Sequence, residues 1–435
     1  MTTGAGLAFP AAPSTTTGPQ FGLGHGVAGG SQFATPIPQD RLVRKEVSLG
    51  VIREIVLPQN HIGLSLIAPF LEVPTDDVIF QYALGMSDGL VPARAEDAES
   101  ELSQKDDIFE LEGRASVIDW AVKDHYSASD VSRYREWLLI QQQLRDTSNL
   151  PLTAQSATED WQARLARDTL RRRRKIDNRM EWLIMNALST GAIAYNDGRI
   201  NFTVDFQRPA QQNMVMGSTL IDPAGNAANI TLNSSSWIKS DGTGDPIGDI
   251  INLQNWFYDT YGIRLNRAIA SRRLLSQIWN SAKFTARTGL VAAGSPLSSP
   301  IDPKYLLDGW SPSAAQAIIE NATGLTFIEY DAVYRTRSVG ATVTTNNRFL
   351  PQNKVIFLPS EDDIAQFDDT QIGFAKTLTS PHPAGNWTSG YYEWEKDFGV
   401  DPWGMDVGTG IKAFPVFLHM DLTATYTISV LDGSV

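Results

Sequence analysis

The sequence contains no cysteine. That excludes a disulfide framework, a thiolate metal site and a thiol nucleophile. Its five histidines, His25, His61, His125, His382 and His419, are scattered, and none lies three or four residues from another. No H-E-x-x-H metal pair can form from that spacing. There is no G-x-x-x-x-G-K-[ST] phosphate loop, and no G-x-G-x-x-G follows a strand-like run. Excess positive charge is lacking too, since the formal net charge is −13. A protein built to grip nucleic-acid phosphates would be basic, so any such contact is expected to be local and weak. No apolar run is long enough to span a bilayer. The N-terminus lacks the basic region and apolar core of a signal peptide. No membrane partner is therefore expected.

Two patterns hint at catalysis, and neither carries it. Gly85-Met86-Ser87-Asp88-Gly89 matches the G-x-S-x-G nucleophile elbow. The elbow needs a helix directly after it, and Leu90-Val91-Pro92 leads into an acidic loop instead, so a turn is the better reading. Asp362, Asp363, Asp368 and Asp369 could attract a hard cation, but they read more simply as a solvated loop. No pair of carboxylates stands out for glycoside hydrolysis. The expectation is a protein that is not an enzyme, with no catalytic, metal or cofactor site.

What is present is an ordinary globular composition, 42% hydrophobic and 20% charged over 435 residues, enough for two or three domains. The chain is organised around residues 156–206. Ser156 and Glu159 have capping-box spacing, and residues 157–190 contain neither Gly nor Pro. The spacing predicts one helix over 156–190, about 50 Å long, closed by Gly191. Trp161, Leu165, Ile176, Met180, Leu183, Ile184, Ala187 and Leu188 mark its buried face. The basic run Arg171-Arg172-Arg173-Arg174-Lys175 interrupts that face. The period then changes to two. Ile193 and Tyr195, a turn at Asn196-Asp197-Gly198, and Ile200, Phe202, Val204 and Phe206 predict a β-hairpin.

Before this stretch, residues 1–44 are rich in Gly, Ala, Pro, Ser and Thr and cannot build a core of their own. Residues 45–75 look strand-like, including Leu64 to Leu71. Residues 76–115 read as a long two-stranded excursion, Val78–Tyr82 and Ile108–Leu111, around an acidic middle. Residues 116–150 read as helical. After the hairpin, residues 210–245 read as a loop boundary. A second unit then follows, with helices over 247–261, 271–281 and 312–321 and strands over 267–270, 325–334 and 353–358. Residues 414–418 and 425–430 read as closing strands. The mixture predicts an α+β fold.

The run Asn186-Ala187-Leu188-Ser189-Thr190-Gly191, then Gly198-Arg199-Ile200 and Val204-Asp205-Phe206, resembles the helix–hairpin junction of tailed-bacteriophage major capsid proteins, in particular the phage lambda capsid protein E family. Further phrases resemble that family in order: Arg267 to Arg272, Ile328 to Asp331, and Leu350 to Pro359. Residues 290–309 and 387–403 have no counterpart in the resemblance. It implies a Hong Kong 97-type capsid fold. The parts would be an N-terminal arm (1–44), a peripheral domain with the spine helix (45–75, 116–236 and 411–435), an extended loop (76–115) and an axial domain (237–410). The first sheet would join residues 45–75, the 192–206 hairpin and the 411–433 tail.

The resemblance also implies a function. The chain would assemble with itself as hexamers and pentamers into an icosahedral shell in the host cytoplasm and end in the virion. Its further partners would be a scaffolding protein, a portal protein, a decoration protein and packaged double-stranded DNA. An encapsulin-type compartment shares the fold and is the alternative, and a soluble α+β hydrolase is the alternative of another class. Arg164, Arg167, Arg171 and Arg174 share a helix face at three- and four-residue steps. The acids Glu96, Asp97, Glu99, Glu101, Asp106 and Asp107 in the extended loop are their expected partners on a neighbouring subunit, by Arg–carboxylate pairing. A solvated face and a contact with DNA are the other readings of the arginines.

Overall fold

In a computed structural model, the described residues are 60–83, 110–127, 129–130, 133, 136, 152–198, 200–222, 225–232, 237, 244–279, 312–336, 344–360, 373–398 and 404–428. For residues 79–83, 110–115, 152–166, 229, 277, 279, 312–315, 318 and 397 the backbone alone is described. The arm over 1–44, the acids between Glu96 and Asp107, Gly85 to Gly89 and the Asp362–Asp369 group lie outside the described residues, as does the side chain of Arg164.

In chain order the strands are β1 (Phe70–Glu72), β2 (Asp77–Ala83), β3 (Glu110–Ser116), β4 (Ile118–Ser127), β5 (Ala192–Asn196), β6 (Asn201–Asp205), β7 (Asn213–Val215), β8 (Thr219–Ile221), β9 (Ala227–Thr231) and β10 (Leu265–Ala270). They continue with β11 (Thr326–Glu329), β12 (Val333–Thr336), β13 (Thr345–Arg348), β14 (Lys354–Pro359), β15 (Ala375–Thr379), β16 (Pro381–His382), β17 (Thr388–Ser389), β18 (Tyr391–Asp397), β19 (Gly404–Phe417) and β20 (Ala424–Thr427). The helices are α1 (Leu152–Thr190), α2 (Pro246–Tyr261), α3 (Arg272–Trp279) and α4 (Pro312–Thr323).

Helix α1 has 39 residues and so extends about 58 Å. It begins at Leu152, four residues before the expected cap. Ser156 and Glu159 thus lie inside the helix, because nothing in Leu152 to Gln155 opposes helical hydrogen bonding. Gly191, at φ +81°, ends it as expected. The hairpin follows as β5 and β6, paired from Ala192↔Asp205 to Asn196↔Asn201.

Sheet one is built on β19. The strand pairs with β4 from Gly404↔Ser127 to Ala413↔Ile118. It also pairs with β18 along Met405–Ile411 and with β15 along Ala413–Phe417, and β1 joins β15 in parallel. Residues 118–127 are thus a strand where a helix was expected. The reason is a period of two: Ile118, Trp120, Val122 and Tyr126 turn inward while Asp119, Ala121, Lys123 and His125 face out. Leu64 to Ile67 also departs from the expected strand and forms a π-helical turn, Gly63–Ile67. Strands β2 and β3 pair from Asp77↔Ser116 to Ala83↔Glu110, the base of the expected two-stranded excursion. Asp76 ties that base down. Its carboxylate accepts from Ser380 Oγ (2.6 Å) and Lys412 Nζ (2.8 Å), and its carbonyl accepts from Val117 N (2.9 Å).

Sheet two has the order β11-β10-β14-β20-β7. Sheet membership therefore departs from the expectation. The C-terminal strands part company, β19 entering sheet one and β20 entering sheet two between β14 and β7. Strands β15 and β18, expected in the inserted unit, belong to sheet one. The β5–β6 hairpin remains a separate ribbon, packed through Phe202 on Phe414 and Phe206 on Phe417. The segment expected as a loop boundary, 210–245, holds β7, β8 and β9.

Two cores result. The first gathers Ile176, Met180, Leu183, Ile184 and Leu188 of α1 with Ile411, Phe414 and Val416 of sheet one and Ile269, Ile356 and Leu358 of sheet two. The second lies on the other face of sheet two, where Ala268, Val355, Phe357 and Tyr426 meet Ile250, Leu253, Trp256 and Phe257 of α2 and Leu274 of α3. Alternate residues of β10 and β14 thus serve opposite cores, as strand geometry requires. The helix caps are legible locally. Asp245 accepts from Gly248 N at 3.0 Å, and Ser271 Oγ from Leu274 N at 3.2 Å.

Candidate assembly surface and the charges beneath it

The basic run of α1 divides by helical position. Thr169, Arg172, Arg173, Ile176, Asp177, Met180, Glu181 and Ile184 are all buried, at three- and four-residue steps. The buried stripe is therefore not interrupted by the basic run, as the sequence reading had it. Arg172 and Arg173 continue the stripe as buried cations with their own acids. The helical period through Met180 and Ile184, carried back one turn at a time, is the signal that would have found them.

Arg172 is 1% exposed. Its guanidinium donates to Asp124 (3.0 Å), Glu393 (3.1 Å), Thr169 Oγ1 (3.1 Å) and Thr409 Oγ1 (3.0 Å). Burial acts to lower its pKa, but Asp124, Tyr126 and Glu393 outweigh burial and raise it. One guanidinium thereby joins α1 to β4, β18 and β19. Arg173 Nε donates to both oxygens of Asp177, at 2.9 and 3.1 Å, and its guanidinium lies 3.2 Å from the centre of the Tyr391 ring. Tyr391 in turn donates to Asp177 at 2.5 Å. Burial, and then the Asp177 charge, push the Tyr391 hydroxyl well above its ordinary pKa.

One turn on, Glu181 accepts from the amides of Gly63 and Leu64 (both 2.9 Å) and from Tyr330 Oη (2.7 Å). Its carboxylate caps the π-helical turn. Burial raises its pKa against these three hydrogen bonds. At the C-terminal end of α1, Arg208 donates to the carbonyls of Ala187 (3.1 Å) and Leu188 (2.5 Å), and Lys354 to that of Ser189 (2.9 Å). Cations there complement the negative end of the helix dipole and satisfy carbonyls that the helix leaves open. Desolvation lowers the Arg208 pKa to about 10.

The rest of the run points outward. Arg171 is 67% exposed and among the described residues pairs with Asp168, at 3.7 Å. Arg167, Arg174 and Lys175 are exposed as well. Of the expected contact face, then, the structure places Arg167, Arg171 and Arg174 at the surface; their expected acidic partners lie outside the described residues. Beside them an open groove of about 250 Å³ runs between β4, α1 and the hairpin, lined by Trp120, Val122, Lys175, Tyr195, Ile200 and Phe202. Arg179 sits over the Tyr195 ring at its edge, 5.1 Å from the centroid.

The outer face of sheet one explains part of the Trp-rich stretch. Trp394 and Tyr392 lie flat over the glycines opposite them. A Cβ at Gly408 would stand 2.3 Å from the Trp394 ring, and one at Gly410 would stand 2.4 Å from that of Tyr392. Also on this face Asp406 accepts from Lys123 (2.6 Å) and contacts His125 Nδ1 (2.7 Å). Lys123, then His125, hold its carboxyl below the usual range. Among the described residues no group of three His, Cys, Asp or Glu is placed to hold a metal ion. No helix among them is long and apolar enough to cross a membrane.

Comparison with known proteins adds the following. Residues 121–240 match the family described as phage major capsid protein E. No curated protein matches the chain. Among solved structures, a protein described as a prophage capsid protein of E. coli CFT073 is similar at TM-score 0.49 and 15% identity, over 89% of this chain and 99% of that one. A phage-related protein of Bordetella bronchiseptica RB50 is similar at TM-score 0.44 and 14% identity, over 89% and 98%. The encapsulin of Synechococcus elongatus PCC 7942 is similar at TM-score 0.36 and 10% identity, over 90% and 97%. The family match covers β4 from Ala121 onward, α1 and the β5–β6 hairpin. Through residues 121–240 the chain is similar to phage major capsid protein E.

Proposed function

We propose that this protein is the major capsid subunit of a tailed double-stranded DNA bacteriophage, with a Hong Kong 97-type fold, and that its work is assembly rather than catalysis. The observation that carries the reading is the family match over residues 121–240, the segment in which α1 is anchored to β4 and runs into the hairpin. Copies of the chain assemble as hexamers and pentamers into a closed shell of the virion, formed in the host cytoplasm around the genome. A scaffolding protein, a portal protein and a decoration protein are its proposed partners. DNA is held inside by weak contacts, in keeping with a net charge of −13.

Within the shell, the acids Glu96, Asp97, Glu99, Glu101, Asp106 and Asp107 of one subunit pair with Arg164, Arg167, Arg171 and Arg174 of the next. The exposure of Arg167, Arg171 and Arg174 supports this pairing, as does the strongly acidic character of the hairpin segment between β2 and β3. A single exposed pair contributes only about 0–1 kcal/mol, but many repeated around a shell act together.

Electron microscopy of the purified protein tests the reading. Closed shells of uniform diameter are expected, and nuclease-resistant DNA inside particles from infected cells. A protein that stays monomeric at all concentrations would overturn it. Shells that enclose an enzyme and no DNA would favour the encapsulin-type compartment.

A further inference from the structure

The hairpin β16–β17 carries an unusual tip. Trp387 is 72% exposed, the most exposed large apolar side chain among the described residues. Both it and Asn386 sit in the left-handed region, at φ 59° and 56°. Asn tolerates that backbone, whereas for a bulky side chain it is a genuine outlier, kept only where the surroundings enforce it. Here they do. Trp387 N donates to His382 O at 3.2 Å, Asn386 N to Pro383 O at 3.1 Å, and Thr388 Oγ1 to Gly385 O at 2.5 Å. His382 Nδ1 accepts from Ala384 N at 3.1 Å, and the His382 ring stacks on Tyr392 at 3.9 Å and 10°. Tyr392 is anchored in turn by its hydroxyl on Asp119, at 2.5 Å. The indole thus projects from a braced turn.

The surrounding sequence indicates what it meets. From Thr377 to Tyr392 the chain has no Asp, Glu, Lys or Arg, although 20% of the whole chain is charged. Two copies of a chain at −13 repel one another, so a contact between them is best made where charge is absent. Interface centres are depleted of charge and enriched in Trp and Tyr, and a pre-organised turn loses little backbone entropy on docking. We propose that the Trp387 turn is a contact between copies of this chain, the indole inserting into an apolar face of a second copy. The inference rests on the shell-forming reading and adds to it a specific contact, independent of the acidic hairpin and the basic helix.

The test is Trp387→Asn, which keeps the left-handed backbone and deletes the indole. The melting temperature of the free subunit should be unchanged or slightly raised, because the turn is less strained. The protein concentration needed for particle formation should rise about tenfold or more, the effect of losing an interface hot spot. Trp387→Phe should recover part of the loss. If W387N forms particles at the wild-type concentration, this inference falls and the turn serves some other partner, while the shell reading stands. If the wild type forms no particle at any concentration, the shell reading falls and takes the inference with it.

Discussion

Within four residues of α1, arginine occupies two unlike settings. Arg172 and Arg173 are buried and fully engaged within the subunit, whereas Arg171 and Arg174 are exposed. Nothing in composition distinguishes them. What separates them is helical phase: positions 172, 173, 176 and 177 face sheet one, and positions 171, 174 and 175 face away. One inner pair thus holds the fold, while the two arginines that flank it stand at the surface. A run of like charge has to be read position by position before it is assigned to a partner.

The largest expected effect is on the buried pair. Arg172→Met fills a similar volume but leaves Glu393, itself 2% exposed, with its cation removed. The expected cost is about 3–5 kcal/mol in denaturant unfolding of the free subunit, because breaking a buried pair strands a charge. A loss below about 1 kcal/mol would place the strength of the α1–sheet one contact in the apolar residues instead. The second core offers the apolar counterpart. Leu274→Ala should cost about 3 kcal/mol, by lost burial and a residual cavity, with no pH dependence between 5 and 8 beyond that of the wild type. On the outer face of sheet one, Gly408→Ala forces the Trp394 ring aside and should cost about 1–3 kcal/mol.

These expectations also mark what sequence alone could reach. Helix α1, the hairpin, α2 and the start of α3 at Ser271 were legible, because each is written in local spacing, whereas the Asp245 cap of α2 appeared only in the structure. The destination of β20 was not, since its partners β14 and β7 lie about 70 and 210 residues away and the same alternation fits either sheet. Strand β4 was misread because Val117, Trp120, Ala121 and Val122 are too few to separate a period of two from 3.6. The burial of Arg172 was missed because its acids, Asp124 and Glu393, sit on strands brought together only by β19. The surface position of Arg167, Arg171 and Arg174 followed from their spacing, while the aromatic groove beside them needed the fold.

The smallest expected effect concerns pH. The folded-state pKa of Asp406 lies below its ordinary value, chiefly through Lys123, and that of Asp76 likewise through Lys412 and Ser380. A depressed carboxylate adds stability that is present above its unfolded pKa of about 4 and is lost as pH falls through the lower folded value. Glu181 works in the opposite sense. Burial raises its pKa, so its ionisation costs stability as pH rises from about 4 to the raised folded value. Asp406→Asn should therefore narrow its gap to wild type as pH drops below about 4. At neutral pH the gap should be under about 1 kcal/mol, because Lys123 and His125 are more than half exposed. An unchanged gap down to pH 2 would assign the loss to packing rather than charge.

The division of labour in α1 is tested most directly by reversing the exposed pair and reading two quantities on one preparation. For Arg171→Glu with Arg174→Glu, denaturant unfolding of the free subunit should stay within about 0.5 kcal/mol of wild type, as for surface substitutions. Particle yield should collapse, most severely at low salt, where repulsion is least screened. Adding Glu99→Lys and Glu101→Lys in the same chain should restore the particles. Normal assembly of the reversed pair at low salt would contradict the account and send the exposed arginines to DNA or to solvent.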